Sequence, residues 1–224
     1  HRHKYRSQLE ALGAHQSSSV YGDTVAAERK AGFDDTERYA ENLANAPPTV
    51  TNFPNTVFGR QCENVASVIK GRAAFGAERD AFFLRLSLFD THGDHDMTLP
   101  SQLRQINDGL ESLVTELKLD GVWDQTLIVQ ASEFARTLTT NGMGTDHGWG
   151  GPAFVAGGSV PGGRVLGEFL GSYSPEGPLS VSGRGIFVPT MPWEAVWRAA
   201  AQWLGLQDSK MEAVLPNVNR FPKS

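Results

Sequence analysis

An α/β architecture, with a mostly parallel central sheet flanked by helices, is the fold class that this chain of 224 residues predicts. Three stretches point to it: an alternating apolar run over 81–89 that ends at Asp90, a strong helical period over 103–117, and a second β-rich run over 126–131. Strand, helix and strand in that order make a βαβ unit, whose crossover is right-handed and whose strands lie parallel. With 40% hydrophobic residues the chain can bury one substantial core, with room for one domain and an appendage.

Taken in order, residues 1–55 read as a charged helical extension or cap, and 56–224 as the α/β domain. Leu9, Ala11 and Leu12 form one short apolar group, and Val25, Ala26, Phe33, Tyr39 and Leu43 a second, with Ser17, Ser18 and Ser19 between them. Their stripe is thin, which fits a peripheral cap better than a core element. Pro47, Pro48 and Pro54 break the pattern, because proline cannot continue a helix. Phe58, Cys62, Val65, Ala66, Val68 and Ile69 then recur at helical spacing up to Gly71. In the run that follows, Phe82, Leu84, Leu86 and Leu88 share one strand face, opposite Arg85 and Ser87.

The long helical period uses Leu103, Ile106, Leu110, Leu113, Val114 and Leu117, with Ser101 as the expected N-cap and Gly121 just past the end. The second strand leads directly into Ser132 and Glu133. Further short strands are expected over 152–158 and 164–167, around a Pro161-Gly162-Gly163 turn. The Ser/Gly/Pro-rich stretch 171–185 reads as a loop. Trp193, Val196, Trp197, Ala200, Trp203 and Leu204 predict a last amphipathic helix that Gly205 stops.

A net charge of −5 argues against a nucleic-acid-binding surface, which leaves a basic footprint. The single cysteine, Cys62, rules out an internal disulfide or a thiolate metal framework. No stretch approaches the roughly 20 apolar residues that a membrane-spanning helix needs. The N-terminal His-Arg-His-Lys is neither a signal peptide nor an initiating methionine, which points to a processed or excerpted chain and favours a secreted, periplasmic or organellar setting. Neither a phosphate-cradling loop after a first strand nor a Walker-type lysine is present, so a nucleotide-binding domain fits less well.

The chemistry concentrates in Asp90-Thr91-His92-Gly93-Asp94-His95-Asp96 and Gly144-Thr145-Asp146-His147-Gly148-Trp149-Gly150-Gly151, which hold three of the six histidines and four aspartates. Asp90 and His92 leave the sheet at a strand end, where both side chains can converge. Asp146 and His147 sit in a Gly-rich loop that allows close backbone approach. Glu133 offers a third carboxylate from the neighbouring strand. A mixed carboxylate and imidazole set suits Zn²⁺, Mn²⁺ or Fe²⁺ better than Ca²⁺, which prefers oxygen ligands throughout.

Singly, each of these residues is better explained as a helix cap or turn former; jointly, three segments rich in ligands favour a metal site. Arg136 can stabilise an anion or simply pair with a carboxylate, and both readings stay open. Thr91 and Ser132 carry hydroxyls that more often bond backbone than act as nucleophiles. His95 and Asp96 fit an exposed helix entry better than outer partners of a metal site. Trp149 fits a pocket wall or a core cover, and His1, His3 and His15 are expected to be solvated.

Phe89-Asp90-Thr91-His92, Ser132-Glu133-Phe134-Ala135-Arg136 and Gly144 to Gly151, followed by Gly162-Gly163 and later by Leu215-Pro216 and Arg220-Phe221, together resemble domain-of-unknown-function family 1501 over residues 57–221. That family looks sulfatase-like, a branch of the alkaline phosphatase superfamily. The resemblance implies a central, mostly parallel sheet and a metal site at its strand ends, with Asp90, His92, Glu133 and His147 as ligands and Asp146 as a further candidate. It implies ions that activate a hydroxyl nucleophile and stabilise a transferring phosphoryl or sulfuryl group. Family members commonly carry Gly where this chain has Ala135, and an amide near His95-Asp96. The early strand that carries an Asp ligand and the Ser or Thr nucleophile has no counterpart before residue 81, so the likeness is to the C-terminal half.

The expected function is therefore a divalent-metal-dependent hydrolase type acting on small anionic phosphate or sulfate esters. Its catalysis requires the nucleophile-bearing portion, from the full-length product or from a protein partner. The alternative is a non-catalytic structural or interaction protein, for which the charged N-terminal helices and the Trp-rich last helix speak.

Overall fold

The helical periods written into residues 57–70, 103–117 and 192–204 all become helices. The structure, a computed structural model, describes residues 6–8, 11, 19–168, 170–174 and 176–221. Its helices are α1 (Val20–Ala44), α2 (Val57–Lys70), α3 (Arg72–Phe75), α4 (His95–Leu119), α5 (Trp193–Trp203) and α6 (Met211–Val214), with single 3-10 turns at Trp123–Gln125, Asp208–Lys210 and Val218–Arg220. Leu9, Leu12, Ser17, Ser18 and the three N-terminal histidines lie outside the described residues. The chain forms two compact units, residues 1–50 with 64–80 and residues 51–63 with 81–224.

In the first unit α1 buries none of its residues, in keeping with its thin stripe. Val20 and Tyr21 both stand largely in solvent. The contacts are few: the Tyr39 and Phe75 rings meet at 5.4 Å, and Asn42 Nδ2 donates to the Ala74 carbonyl at 3.2 Å. Arg6 pairs with Glu37, and Lys30 with Asp34 one helical turn away. Exposed pairs of this kind contribute about 0.5 kcal/mol each.

The second unit is organised by α4. Its C-terminus carries the expected glycine: Gly121 has φ +69°, its N–H reaches the Lys118 carbonyl, and the Val122 N–H reaches Leu117. Those two bonds satisfy carbonyls that the helix end would otherwise orphan. Gly205 ends α5 in the same way, bonding Gln202 while Leu206 bonds Ala201. The start of α4 differs from expectation, because the helix begins at His95 and runs through Pro100 rather than starting at Ser101. Leu99 is in phase with Leu103 and Ile106, but Pro100 beside it reads as a break, so the sequence puts the start too late.

Helix α4 packs closely on the first half of α2. A Cβ on Gly109 would stand 2.7 Å from Phe58 Cδ1 and 3.4 Å from Cys62 Sγ. Phe58, Cys62, Leu113, Leu117, Val122, Phe187, Met211 and Val218 are the buried apolar residues of this unit. Glu116 is fully buried and accepts the Thr51 N–H at 2.8 Å.

Burial pushes the Cys62 thiol up from 9.0 to about 12. The folded chain thus holds a neutral thiol whose contribution to stability is complete below about pH 9 and is lost as the pH climbs toward 12. At pH 8 Cys62 is expected to resist iodoacetamide in the native chain and to react freely in urea, as read by mass spectrometry. Equal labelling rates in the two conditions would contradict this burial.

The expected parallel central sheet does not form. The strands are short, and each pairs antiparallel with one neighbour: β1 (Leu127–Val129) with β4 (Val155–Gly157), β2 (Ala135–Thr140) with β3 (Thr145–Gly148), and β5 (Ser180–Ser182) with β6 (Ile186–Phe187). The predicted strands at 126–131 and 152–158 survive as the cores of β1 and β4, and 164–167 is not a strand.

The predicted first strand, 81–89, is not a strand either, so the βαβ unit and its parallel pair are absent. Among the described residues, 81–88 make no backbone–backbone hydrogen bond. The Gln61 amide takes the place of a strand neighbour, accepting the Arg85 N–H at 2.8 Å and donating to its carbonyl at 2.9 Å. Leu88, at φ +74°, turns the chain out of the extended region before Phe89. Alternation marks a stretch that can line a sheet, but only a ladder of backbone partners makes it a strand.

Candidate metal centre

Asp90, His92 and His147 come together from two places. Asp90 and His92 follow the extended segment and precede α4. His147 lies on β3, directly across from Arg136 on β2. The β2–β3 hairpin that delivers it is absent from the sequence-based expectation, although Asn141-Gly142 is its signature. Asn141 closes the turn by accepting the N–H groups of Met143 (3.0 Å) and Gly144 (2.8 Å) on Oδ1.

The hairpin is seated by contact with the 90–92 segment. Thr145 N–H donates to the Thr91 carbonyl at 3.2 Å, and Asn141 Nδ2 donates to the His92 carbonyl at 3.0 Å. Gly144 is what permits this approach, since a Cβ there would lie 2.2 Å from the Thr91 oxygen. Gly148 plays the same part against Arg136, whose carbonyl oxygen a Cβ would meet at 2.6 Å.

Asp90 Oδ1 is the hub. His147 Nε2 lies 2.7 Å from it, His92 Nε2 3.0 Å and Arg136 Nη2 3.0 Å. The His92 and His147 rings stack at 4.9 Å, and Phe134 lies parallel on the other face of His147 at 4.1 Å. Arg136 also donates to the carbonyls of Phe89 and Thr145. Of the two readings open for Arg136, the geometry supports pairing with a carboxylate, because its terminal nitrogens already hold the hairpin to the Asp90 segment. The Asp90 carboxyl sits below the usual carboxylate range, chiefly through its hydrogen bond with His147 and then through Arg136. It therefore keeps its charge at neutral pH and loses it only in acid.

One ligand atom each from Asp90, His92 and His147 lie within 4.8 Å of one another, and all three residues are exposed. Ligands about 2.1 Å from a tetrahedral zinc stand about 3.4 Å apart; the His147 and His92 nitrogens, 2.7 and 3.0 Å from Asp90 Oδ1, would each have to draw back from that oxygen by less than about 1 Å to take in a cation. One oxygen and two imidazole nitrogens also match the donor preference of zinc or manganese over calcium. The residues present fit such an ion.

Glu133 stands outside this set among the described residues, as an exposed side chain just before β2. Asp146 contacts the set from behind: its Oδ1 lies 2.9 Å from His92 Nδ1, and its Oδ2 pairs with Arg184. The Asp146 carboxyl too is held below its ordinary range, first by His92, then by Asn141 and Arg184. Thr91 is 4% exposed and shares a 2.7 Å hydrogen bond with His95 Nδ1, so both residues secure the entry to α4. Trp149 is exposed. Arg184 gives no signal in the sequence because it sits in a stretch whose composition marks only a loop.

A helix-rich chain with an exposed carboxylate–imidazole cluster, where a β-hairpin meets the segment before a long helix, is the class that this geometry defines. A family model described as a protein of unknown function (DUF1501) matches residues 6–181, and the chain belongs to that family. The matched span begins well before the motif-bearing region at 57 and takes in α1, while ending at 181 rather than 221. Searches of curated proteins and of solved structures find no match.

Proposed function

We propose that the chain is a divalent-metal-binding protein of a hydrolase type that acts on phosphate or sulfate esters, with Asp90, His92 and His147 as the ligands. The convergence of their three ligand atoms carries this reading. The Asp/His motifs resemble family 1501, and the sulfatase-like and alkaline-phosphatase-like character expected of that family supports the choice of ester; the sheet plays no part in it. A bound divalent ion would supply Lewis-acid stabilisation to an anionic ester oxygen.

The protein's own groups divide the remaining tasks. Asp90 brings the negative charge that draws a cation in. Arg136 stays on a second lone pair of Asp90 and fixes its orientation, as a carboxylate oxygen has room for both a ligand bond and a hydrogen bond. Phe134 covers one face of His147 and restricts its rotation. Thr91, beside Asp90 in sequence, is buried and does not supply a nucleophile, so ester cleavage requires a hydroxyl from a further segment or a partner.

Calorimetric titration with Zn²⁺ and Mn²⁺ tests the ligand set. One ion per chain is expected, with affinity lowered at least about 100-fold by His147→Ala and left within about threefold by Glu133→Gln. Absence of uptake by the parent chain would overturn the proposal.

A second reading, a non-catalytic interaction protein, is favoured by one specific feature. Phe83 and Leu88 are 90% and 68% exposed on a segment that makes no backbone–backbone hydrogen bond among the described residues, and apolar surface of that kind marks contact sites. Chelator-sensitive turnover of a generic phosphate or sulfate ester by the chain would exclude it.

A further inference from the structure

We propose that Asp146 and Arg184 are positioning residues that set the orientation and tautomer of His92, rather than ligands in their own right. This inference rests on the divalent-cation reading of Asp90, His92 and His147 for its consequence, but not for its geometry. His92 presents its two ring nitrogens to two carboxylates: Nε2 to Asp90 Oδ1 at 3.0 Å and Nδ1 to Asp146 Oδ1 at 2.9 Å. Only Nε2 faces the group that also receives His147. A proton kept on Nδ1 leaves the Nε2 lone pair directed at the cluster, and a carboxylate behind a ligating histidine is the usual means of keeping it there.

Asp146 is poorly placed for any other role. Its Oδ1 accepts from His92 and from Asn141 Nδ2 at 3.3 Å, and its Oδ2 is taken by the Arg184 guanidinium. Asn141 ties the same unit together by donating to the His92 carbonyl.

Arg184 is itself held by backbone. It lies in the turn between β5 and β6, and its carbonyl accepts the Thr139 hydroxyl at 2.7 Å and the Thr139 N–H at 3.4 Å. The next residue, Gly185, accepts the Leu138 N–H at 3.2 Å, and a Cβ there would come 2.9 Å from Leu138 Cβ. The β5–β6 turn is thus docked on β2, the strand opposite His147. A chain of fixed contacts runs from that turn through Arg184 and Asp146 to His92, and it makes a segment remote in sequence a part of the centre.

Long-range ¹H–¹⁵N correlation spectra of the imidazoles, with zinc titration of the same samples, test this. In the zinc-loaded chain His92 is expected to be bound through Nε2 and protonated on Nδ1. Asp146→Ala is expected to weaken zinc binding about 10–100-fold, less than His147→Ala does. Arg184→Gln is expected to weaken it in the same direction by a smaller factor, with Arg184→Lys recovering part of the loss.

The zinc-free chain supplies an independent readout. Asp146→Ala is expected to shift neutral His92 toward the Nε2–H form, with the far-ultraviolet dichroism unchanged. Zinc bound through Nδ1, a loss in Asp146→Ala equal to that in His147→Ala, or an unchanged tautomer in the zinc-free variant would each overturn the positioning role. A parent chain that takes up no zinc would sink the cation reading, while the zinc-free tautomer shift decides the positioning role by itself.

Discussion

Asp90→Ala is expected to abolish divalent-cation binding, raising the zinc dissociation constant by more than about 100-fold while leaving the chain folded. The size of the effect follows from the position of one oxygen. Asp90 Oδ1 receives His147, His92 and Arg136 together, so its removal deletes the proposed carboxylate ligand and also frees both imidazoles from the group that aligns them. It further leaves the Arg136 guanidinium facing the ion site without its counter-charge, which repels an incoming cation. Titration calorimetry checks the affinity, and far-ultraviolet circular dichroism checks the fold. Zinc affinity within tenfold of the parent chain would show that Asp90 is not the hub.

Gly144→Ala is expected to be the most damaging change in the hairpin, destabilising the chain by about 3 kcal/mol or more, at the upper end of what overpacking costs. The added Cβ would meet the Thr91 oxygen at 2.2 Å and the His92 carbonyl carbon and oxygen at 2.7 and 2.8 Å. All three are backbone atoms, which cannot move aside as a flexible side-chain end can. The hairpin would have to lift from the 90–92 segment, carrying His147 away from Asp90, so cation binding should fall along with stability.

Gly142→Ala is the matching control. Gly142 has φ +101°, and no atom lies within 4 Å of where an added methyl group would stand, so its cost is backbone strain alone, about 1 kcal/mol. Urea denaturation of the two variants separates the effects. Equal midpoints would contradict the close seating of β3 on Thr91 and His92.

The helices are legible in the sequence because their signals are local. The apolar period of α2, α4 and α5 and the glycines at 121 and 205 each act within one or two turns, and the structure places those residues where local rules put them. Strand pairing is not local. The alternation of Phe82, Leu84, Leu86 and Leu88 is real, but which backbone lies alongside depends on the whole fold, and among the described residues a side chain, the Gln61 amide, stands there instead. The parallel unit inferred from strand, helix and strand fails for that reason, and β1 turns instead to β4.

The site divides along the same line. Asp90, His92 and His147 stand out by residue type and meet as expected, whereas Glu133, which a parallel strand would have brought to the same edge, stands apart once that strand pair is absent. Asp146 reads as a ligand in the sequence, because nothing there connects it to Arg184 or tells which nitrogen of His92 it faces. Asn141-Gly142 does announce the hairpin, and Thr137, Thr139 and Thr140 before it favour a strand; what the run 135–140 lacks is the apolar alternation of a half-buried strand.

Anomalous diffraction at the zinc edge, from crystals of the chain grown with stoichiometric zinc, addresses the convergence of Asp90, His92 and His147 most directly. One peak is expected, about 2.0–2.2 Å from a carboxylate oxygen of Asp90 and from Nε2 of both histidines, with Asp146 still on His92 Nδ1. A peak coordinated by Glu133 or Asp146 in place of these three, or no peak at full zinc occupancy of the solution, would contradict the centre described above.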